Sequence, residues 1–394
     1  MELREGYKTS EVGLIPIDWD IDFVKNIAEI HTGGKNTQDR IEGGLYPFFV
    51  RSQIVERINS YSYDNEAVLT AGDGVGVGKV MHYINGKFDC HQRVYRISNF
   101  NGKVSGYYFY LYFSNNILNR IMQMTAKSSV DSVRMDMIAN MQIPIPPTKA
   151  EQTAIATALS DADALIEAIE KLIAKKRKIK QGAMQKLLKP KEGWEHKSLG
   201  EIGVISGAGV DKLINEDEIP VRLVNYMDVF NSDFIYSKEL SHWVTAPKHK
   251  ANRCAVKQGD VFFTPSSEMR YDIAVSAVAI EDISNAVYSY HLIRLRLTED
   301  WDLNFRTYIF KTRYFLGQAE QVCEGSGKRY VITLPKFRNL KSYYPKTKKE
   351  QNEIASILSD MDAEIEALET KLEKYRKIKL GMMQNLLTGK IRLI

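Results

Sequence analysis

Residues 148–191 read TKAEQTAIATALSDADALIEAIEKLIAKKRKIKQGAMQKLLKPK, and residues 347–390 read TKKEQNEIASILSDMDAEIEALETKLEKYRKIKLGMMQNLLTGK, so one stretch of sequence occurs twice. The two copies align without a gap at an offset of roughly 199 residues (347 − 148). In a chain of 394 residues, that offset leaves room for two repeat units. The duplication therefore predicts a protein built from two similar halves.

Both copies have the pattern of a long helix. Each opens with a capping box, Thr148 with Glu151 and Thr347 with Glu350, in which a hydroxyl and a carboxylate satisfy free amides of the first turn. Each helix is predicted to run for about 40 residues, or about 60 Å. Apolar residues alternate at spacings of four and three, which is typical of a coiled-coil seam. This seam comprises Ile155, Leu159, Ala162, Ile166, Ile169 and Ile173 in the first copy and Ile354, Leu358, Met361, Ile365, Leu368 and Leu372 in the second.

A helix of this length with a narrow apolar seam needs a partner, and the other copy is the obvious one. An antiparallel coiled coil would place the two preceding domains at opposite ends, related by a pseudo-two-fold axis. A parallel pair would place both domains at one end, and a simple linker helix would need no pairing. We expect the antiparallel pair.

The composition is that of an ordinary globular protein. Apolar residues make up 44% of the chain and charged residues 26%. No run approaches the roughly 18 apolar residues of a membrane span, and the opening MELREGYKTSEVG lacks the apolar core of a signal peptide, so we expect a cytoplasmic protein without membrane contact. Cys90, Cys254 and Cys323 show neither zinc nor disulfide spacing and are expected to be small buried residues.

Charge is unevenly placed along the first repeated helix, although the whole chain carries only +5. Asp161, Asp163, Glu167 and Glu170 precede a basic run that begins at Lys175. This order complements the helix dipole. The basic run is equally compatible with nearby phosphates or an acidic partner, and the sequence leaves both interpretations open.

The duplication also includes the start of each half. Trp19 begins WDIDFVKNIAEIHTGG, and Trp194 begins WEHKSLGEIGVISGAG with apolar residues at matching positions. The segments between this start and the helix differ greatly. We therefore predict an α+β fold with an internal pseudo-two-fold repeat: a mixed α/β domain over residues 1–147, a spacer helix over 148–189, a second mixed α/β domain over 190–346, and a second helix with a tail over 347–394.

Inside each half, short strands precede a helix. Residues 107–124 and 305–321 have the pattern of helices. The Asn-Gly pairs at residues 85–86 and 101–102 predict turns that close short strands.

The glycine-rich segment AGDGVGVGKV, residues 71–80, does not match a nucleotide-binding loop. A phosphate loop needs G-x-x-x-x-G-K followed by Ser or Thr, but Val80 follows Lys79 and Asp73 occupies the earlier glycine position. We interpret the segment as a turn that lets the backbone and Lys79 approach a phosphate or a base edge.

The sequence contains no recognisable catalytic set. Its seven histidines form no metal-ligand pair at helical spacing, and it has no G-x-S-x-G motif. It also lacks the N-P-P-aromatic tetrapeptide expected of a base-flipping amino methyltransferase. We therefore interpret the chain as a binding protein that holds no cofactor or metal, not as an enzyme.

Basic and amide side chains interleaved with aromatic ones point to nucleic acid, although an ordinary solvated surface would also contain some of them. Arg, Asn and Gln read base edges, while Lys, Ser and Tyr position phosphates. The candidate DNA-binding residues are Arg51, Ser52, Lys79, His91, Gln92, Arg93, Ser128, Ser129 and Arg134 in the first half, and Arg222, Asn225, Tyr226, Ser266, Ser267, Glu268, Arg270, Tyr290, His291, Lys328 and Arg329 in the second.

Several of these segments resemble the specificity subunits of type I restriction–modification systems. The resemblance is carried by the opening GYKTSEVGLIPIDW, the helix starts E-Q-x-x-I-A, the repeated RKIK-x-G-x-M-Q-x-L-L and the closing LLTGKIR. Residues 67–80 and 259–278 are similar to segments of the target recognition domains of that family.

The resemblance implies that each mixed domain reads one half of a split, asymmetric site in double-stranded DNA. It implies that the helices set the spacer and dock two modification (methyltransferase) subunits, which bring S-adenosylmethionine. Restriction (motor-nuclease) subunits, bound through them, would bring ATP and magnesium, and this chain would perform no chemistry. Two other classes stay open: a coiled-coil scaffold without a DNA role, and a self-contained methyltransferase or nuclease.

Overall fold

A computed structural model describes residues 5–124 and 132–393, and the chain forms two compact units. The first unit comprises Met1–Glu170 and Thr370–Ile394, and the second comprises Lys171–Glu369. These units divide inside the repeated helices, whereas the predicted boundaries follow the sequence repeat. Each helix therefore contributes one segment to each unit.

The first unit combines a mixed sheet with helices. Its strands are β1 (Tyr7–Ser10), β2 (Gly13–Pro16), β3 (Asp20–Phe23), β4 (Glu29–Thr32), β5 (Tyr46–Phe49), β6 (Glu56–Ile58), β7 (Tyr63–Ala71), β8 (Met81–Cys90), β9 (Val94–Ser98) and β10 (Gln142–Ile145). Its helices are α1 (Val24–Ile27), α2 (Gly106–Met124), α3 (Met135–Ala139) and the first part of α4 (Lys149–Leu187). The main sheet has the order β4-β9-β7-β8-β5-β6, with β5 parallel to β8 and the other neighbours antiparallel.

Strand β8 passes through the Asn-Gly pair at residues 85–86, where a turn is predicted, so that prediction is wrong. Gly86 lies opposite Asn65 of β7 and has a φ of +142°, a backbone angle that favours glycine. Pairing with a long neighbouring strand outweighs the local turn preference. The second Asn-Gly pair, residues 101–102, does lie in a turn.

The second unit has its own sheets, in the orders β12-β20-β16-β18-β14, β15-β13-β19 and β17-β22-β21. Their strands, with the pair β11 and β23, are β11 (Glu195–Ser198), β12 (Gly203–Ser206), β13 (Ile219–Val224), β14 (Phe234–Ile235), β15 (Trp243–Ala246), β16 (Val261–Phe263), β17 (Ser266–Ser267), β18 (Ser276–Ala279), β19 (Ala286–Tyr288), β20 (Ile293–Leu297), β21 (Glu324–Ser326), β22 (Arg329–Val331) and β23 (Lys341–Tyr344). The helices are α5 (Leu199–Ile202), α6 (Tyr226–Phe230), α7 (Lys248–Arg253), α8 (Phe305–Ile309), α9 (Arg313–Val322), α10 (Leu334–Arg338) and α11 (Lys348–Leu386), whose last part belongs to the first unit.

The helix predicted over residues 305–321 is broken into α8 and α9. Thr312 lies between them with an extended backbone, and its hydroxyl accepts a hydrogen bond from the Phe315 N–H at 3.3 Å. A threonine N-cap of this kind starts a new helix. By contrast, α2 confirms the helix predicted over residues 107–124.

Each unit has a core into which one repeated helix inserts its first turns. In the first unit, Ile155 and Leu159 of α4 join Trp19, Tyr108 and Phe113. In the second unit, Ile354 and Leu358 of α11 pack in the same way against the aromatic core of that unit. The predicted seam residues of both helices are buried or half-buried, as expected for a coiled coil.

Within the first unit, the segments of α4 and α11 run antiparallel. Lys379 forms an ion pair with Asp163 at 2.5 Å, and Arg376 forms one with Glu170 at 2.7 Å. The later residue of α4 thus contacts the earlier residue of α11. This order confirms the antiparallel prediction.

The second unit repeats these ion pairs with the roles of the helices exchanged. Lys180 pairs with Asp362, and Arg177 pairs with Glu369 at 2.5 Å. Lys176 adds a pair with Glu364 at 2.6 Å. Part of the basic run on α4 therefore forms ion pairs with acidic residues of α11. These ion pairs account for Lys176, Arg177 and Lys180 without a helix dipole or a phosphate partner.

The capping boxes form only in part. Thr148 accepts from the Glu151 N–H at 3.2 Å, and Thr347 accepts from the Glu350 N–H at 3.3 Å, as predicted. The carboxylate of Glu151, however, binds Arg392 of the C-terminal tail. An ion pair with a residue distant in sequence thus takes the place of the predicted bond from the Glu151 carboxylate to the amide of the capping residue.

The glutamine beside each cap ties its helix to the unit. Gln152 is 1% exposed, accepts from the Ser105 N–H and donates to the Lys103 carbonyl, both at 2.8 Å. Gln351, also 1% exposed, accepts from the Asp302 N–H at 2.8 Å. The E-Q pair of the repeat is thus a structural anchor.

The cysteines are free and buried, as predicted. Across residues 5–124 and 132–393, no helix is both long and apolar enough to cross a membrane.

Candidate nucleic-acid interface

The first unit brings two predicted arginines together on one carboxylate. Arg51 Nη1 lies 2.5 Å from Asp73 Oδ1, and Arg93 Nη1 lies 2.6 Å from Asp73 Oδ2. Burial raises the pKa of Asp73, but the hydrogen bonds from Arg51 and Arg93 outweigh it and hold that pKa below its ordinary value. The carboxylate therefore stays ionised and holds both guanidinium groups.

The strand ends of the sheet position this cluster. Arg51 follows β5, Asp73 follows β7, and Arg93 precedes β9. The Gly72 N–H donates to the Arg93 carbonyl at 2.8 Å. A Cβ atom at Gly76 would lie 2.8 Å from the Arg51 carbonyl oxygen, so the glycine-rich turn can approach Arg51 only without a side chain there.

Other predicted residues of the first unit surround the cluster. Lys79 is exposed at the end of the glycine-rich turn, and Gln92 is exposed and donates to Asn36 at 2.7 Å. The Ser52 hydroxyl accepts from the Ile54 N–H at 3.0 Å. Arg134 is exposed immediately before α3.

His91, another predicted residue of the first unit, is only 5% exposed. Its Nδ1 accepts a hydrogen bond from the Arg93 N–H at 3.0 Å. Burial and the nearby charge of Arg51 lower the pKa of His91. His91 therefore supports the loop that carries Arg93. Ser128 and Ser129 lie outside the described residues.

In the second unit, a surface groove of about 490 Å³ collects six of the predicted residues. The Tyr226 hydroxyl donates to the Ser266 carbonyl at 2.7 Å, and Arg329 Nη2 lies 3.5 Å from the Ser266 hydroxyl. Basic, acidic and aromatic groups thus face one opening. The six residues are Tyr226, Ser266, Ser267, Glu268, Lys328 and Arg329.

Arg270, Tyr290 and His291 are further predicted residues of the second unit. The Arg270 guanidinium lies 5.0 Å from the ring centre of Tyr330 and donates to the Glu320 carbonyl. Tyr290 is half-exposed, and its ring lies 3.9 Å from that of His291. Burial, followed by the charges of Lys212 and Arg329, lowers the pKa of His291.

Arg222 and Asn225 make hydrogen bonds within the second unit, and their contact with DNA stays a prediction. Arg222 donates to the carbonyls of Ser237 and Ser284 at 2.7 and 3.0 Å. Asn225 precedes α6, and its N–H donates to Asp228 at 2.7 Å.

One hydrogen bond recurs at both sites. The Val133 N–H donates to the Gly72 carbonyl at 2.9 Å, and the Ile332 N–H donates to the Pro265 carbonyl at 2.8 Å. Gly72 opens the glycine-rich turn of the first unit, and Pro265 opens the segment that carries Ser266 and Glu268 in the second. A matching backbone hydrogen bond therefore holds the glycine-rich turn of the first unit and the segment after Pro265 in the second.

The sequence-based interpretation missed Asp73 and Asp272 as members of these sites. In the sequence, Asp73 stood out only because it occupies a glycine position of a phosphate loop. Asp272 lines the same groove of the second unit as Arg329. An acidic residue near two candidate arginines is a usable signal, but the sequence does not show which arginines converge.

The sites have the character of binding surfaces. Across the described part of the chain, no group of three or more His, Cys, Asp or Glu side chains is arranged to hold a metal ion. The arrangement presents hydrogen-bond donors and positive charge from loops on a rigid sheet, which suits an anionic, patterned ligand.

Comparison with known proteins gives a consistent result. The family described as type I restriction modification DNA specificity domain matches residues 16–181 and again residues 191–375. The chain is 26% identical over 436 aligned residues to the specificity subunit of the type I restriction enzyme MjaVIII from Methanocaldococcus jannaschii, covering 99% of this chain and 96% of that subunit. It is 30% identical over 169 residues to the EcoDI specificity subunit of Escherichia coli, covering 43% of this chain and 36% of that one.

A solved structure shares the fold. The S subunit of a type I restriction–modification system from M. genitalium superposes with a TM-score of 0.60 at 16% identity, over 98% of each chain. This likeness supports the mixed α/β architecture with long helices.

Proposed function

Because the chain belongs to the family of type I restriction modification DNA specificity domains, we propose that it selects a bipartite, asymmetric DNA site for a type I restriction–modification complex. Each unit would read one half of the site in double-stranded DNA. The family role is recognition, so the chain contributes specificity and its partners contribute the chemistry.

The convergence of predicted residues in each unit supports this proposal. Arg51 and Arg93 meet at Asp73 in the first unit, and six predicted residues line the groove around Arg329 in the second. Two sites with different side chains are what a protein needs to read two unrelated half-sites. Direct reading requires such donors at base edges, and we propose that the exposed Lys79 and Lys328 contact phosphates.

The paired helices are proposed to set the spacer between the half-sites. A helix of 39 residues, as α4 and α11 both are, rises by about 60 Å. The repeated ion pairs Lys379–Asp163 and Lys180–Asp362 fix the register of the two helices. A fixed register makes the helix length, rather than a flexible linker, the determinant of spacing.

The same helices are proposed to dock two modification subunits, because the repeat supplies two equivalent surfaces. S-adenosylmethionine would be held by those subunits. Restriction subunits joined through them would hold ATP and magnesium. The MjaVIII and EcoDI relatives are named as subunits of type I restriction enzymes, which supports assembly into such a complex.

Methylome sequencing tests this function. Cells that produce the modification subunits with this chain are compared with cells that produce the modification subunits alone. We expect one split motif, with two dissimilar halves and a fixed gap, to be methylated only when the chain is present. Methylation that is independent of the chain, or a continuous motif, would overturn the proposal.

The purified chain is also tested alone with DNA, labelled methyl donor and magnesium. We expect neither methyl transfer nor cleavage. Turnover by the chain alone would support a self-contained enzyme instead.

A further inference from the structure

The Asp73 carboxylate leaves one edge of each bound arginine free. Arg51 and Arg93 each use a single nitrogen, Nη1, to bind Asp73. Among residues 5–124 and 132–393, the Nε and Nη2 groups of these two arginines have no protein hydrogen-bond partner. Each guanidinium therefore presents a pair of neighbouring N–H donors in a fixed planar fork.

The exposure of the three side chains shows which groups face solvent. The Asp73 side chain is 23% exposed, while those of Arg51 and Arg93 are 41% and 61% exposed. The carboxylate is thus the inner member of the cluster, and the arginines are the outer members. Because the ion pairs restrict both arginines before DNA arrives, less side-chain freedom is lost on binding.

A pair of adjacent donors matches guanine better than any other base. In the major groove, guanine offers two neighbouring acceptors, O6 and N7, whereas adenine places a donor beside N7 and thymine offers one acceptor beside a methyl group. Phosphate is the competing ligand for a guanidinium fork. The Asp73 charge offsets one of the two arginine charges, which weakens attraction to phosphate but leaves the donor geometry intact.

We propose that Asp73 is a positioning residue that holds Arg51 and Arg93 for bidentate recognition of guanine, so that the half-site read by the first unit contains guanine. This inference rests on the proposed function and assigns one base class to one of its two sites. It also assigns a role to an acidic side chain that itself makes no contact with the base.

The first test uses the unaltered chain in its complex with the modification subunits. Each guanine of the methylated motif is replaced in turn by 7-deazaguanine, which lacks the N7 acceptor. The dissociation constant for binding of the protein complex to each DNA duplex is then measured. We expect the replacement to weaken binding about 5- to 150-fold at one or more guanines of one half-site. If no guanine of the motif is sensitive, the inference is overturned.

The second test uses Arg93→Lys, which keeps the charge and loses the fork, and Asp73→Asn, which keeps the shape and loses the charge. Both variants should accept other bases at a guanine position in the same half of the motif. The other half should stay unchanged. Asp64→Asn, at an exposed position of β7 in the same unit, is the matched control and should leave the whole motif unchanged.

A merely structural role for Asp73 predicts a different result. Asp73→Asn would then lower the thermal midpoint and weaken binding to all sequences equally, without relaxing any position. That outcome overturns the inference but leaves the proposed function standing. A wild-type complex that methylates no split motif overturns both.

Discussion

The Nζ atom of Lys379 on α11 lies 2.5 Å from the Oδ1 atom of Asp163 on α4, and the residues related to them by the repeat, Lys180 on α4 and Asp362 on α11, form the same ion pair. The two copies of the repeated sequence therefore form the same ion pair twice, with the roles of α4 and α11 exchanged. An acidic early segment in each helix meets the basic late segment of the other, which only an antiparallel pair allows.

We predict that reversing one of these charges destabilises the helix pair. Asp163→Lys places two cations together and should lower the free energy of unfolding by about 1 kcal/mol, the upper range for a partly exposed ion pair. The double variant Asp163→Lys with Lys379→Asp should recover most of that loss. Urea denaturation of the wild type, Asp163→Lys, Lys379→Asp and the double variant forms a double-mutant cycle. Strictly additive effects would show that the pair contributes nothing.

Gln152→Leu is predicted to destabilise the fold, although leucine and glutamine are similar in size. It removes the acceptor of the Ser105 N–H and the donor to the Lys103 carbonyl, leaving buried polar groups unpaired. The expected cost is about 1–3 kcal/mol in the free energy of unfolding. Gln185→Leu, at an exposed position of α4, is the control and should change that free energy little. Equal effects of the two substitutions would contradict the anchor role.

The lysines beside the two sites are predicted to contact phosphates rather than bases. Lys79→Ala and Lys328→Ala should each reduce the slope of log binding constant against log salt by about 1, without changing the methylated motif. Lys374→Ala, at an exposed position of α11, should leave the slope unchanged. A changed motif with an unchanged slope would assign these lysines to base reading instead.

His82 is predicted to make the protein less stable in mild acid. Burial lowers the pKa of His82 below 6.5, while its Nε2 donates to the Ser52 carbonyl at 2.9 Å. The unfolded chain therefore binds a proton more readily than the folded one, so the stabilising effect is complete above pH 6.5 and is lost as pH falls through the folded-state pKa.

The measurement is urea denaturation of the wild type and His82→Gln at pH 8 and at successively lower pH. The difference in free energy of unfolding between the two proteins should shrink as pH falls below 6.5. A difference that stays constant over this range would refute the assignment.

The proposed ruler makes a prediction about DNA spacing. Deleting seven residues from the equivalent place in both helices keeps the seam in register and shortens each helix by about 10.5 Å. The gap between the half-sites should then shrink by about three base pairs, because DNA rises by about 3.4 Å per pair. Methylome sequencing of the variant measures the gap. An unchanged gap would exclude the helices as its determinant.

The local features of the helices could be read from the chain, because each depends on neighbours in sequence. Seam spacing, threonine caps and the absence of proline define α4 and α11 to within a few residues of the prediction. The same local reasoning failed at residues 85–86, where the paired strand β7 decides the conformation.

The sequence by itself determined that the chain is a duplicated protein with two long helices and two divergent α/β segments, and it proposed candidate side chains for the two sites. Only the tertiary structure decided which of those side chains meet. Arg51 and Arg93 converge on Asp73 because β5, β7 and β9 lie in one sheet, whereas His91, Arg222 and Asn225 are held by nearby backbone or side-chain groups. Residue type specifies which hydrogen bonds a side chain can make, but strand pairing and burial specify which partners lie within its reach.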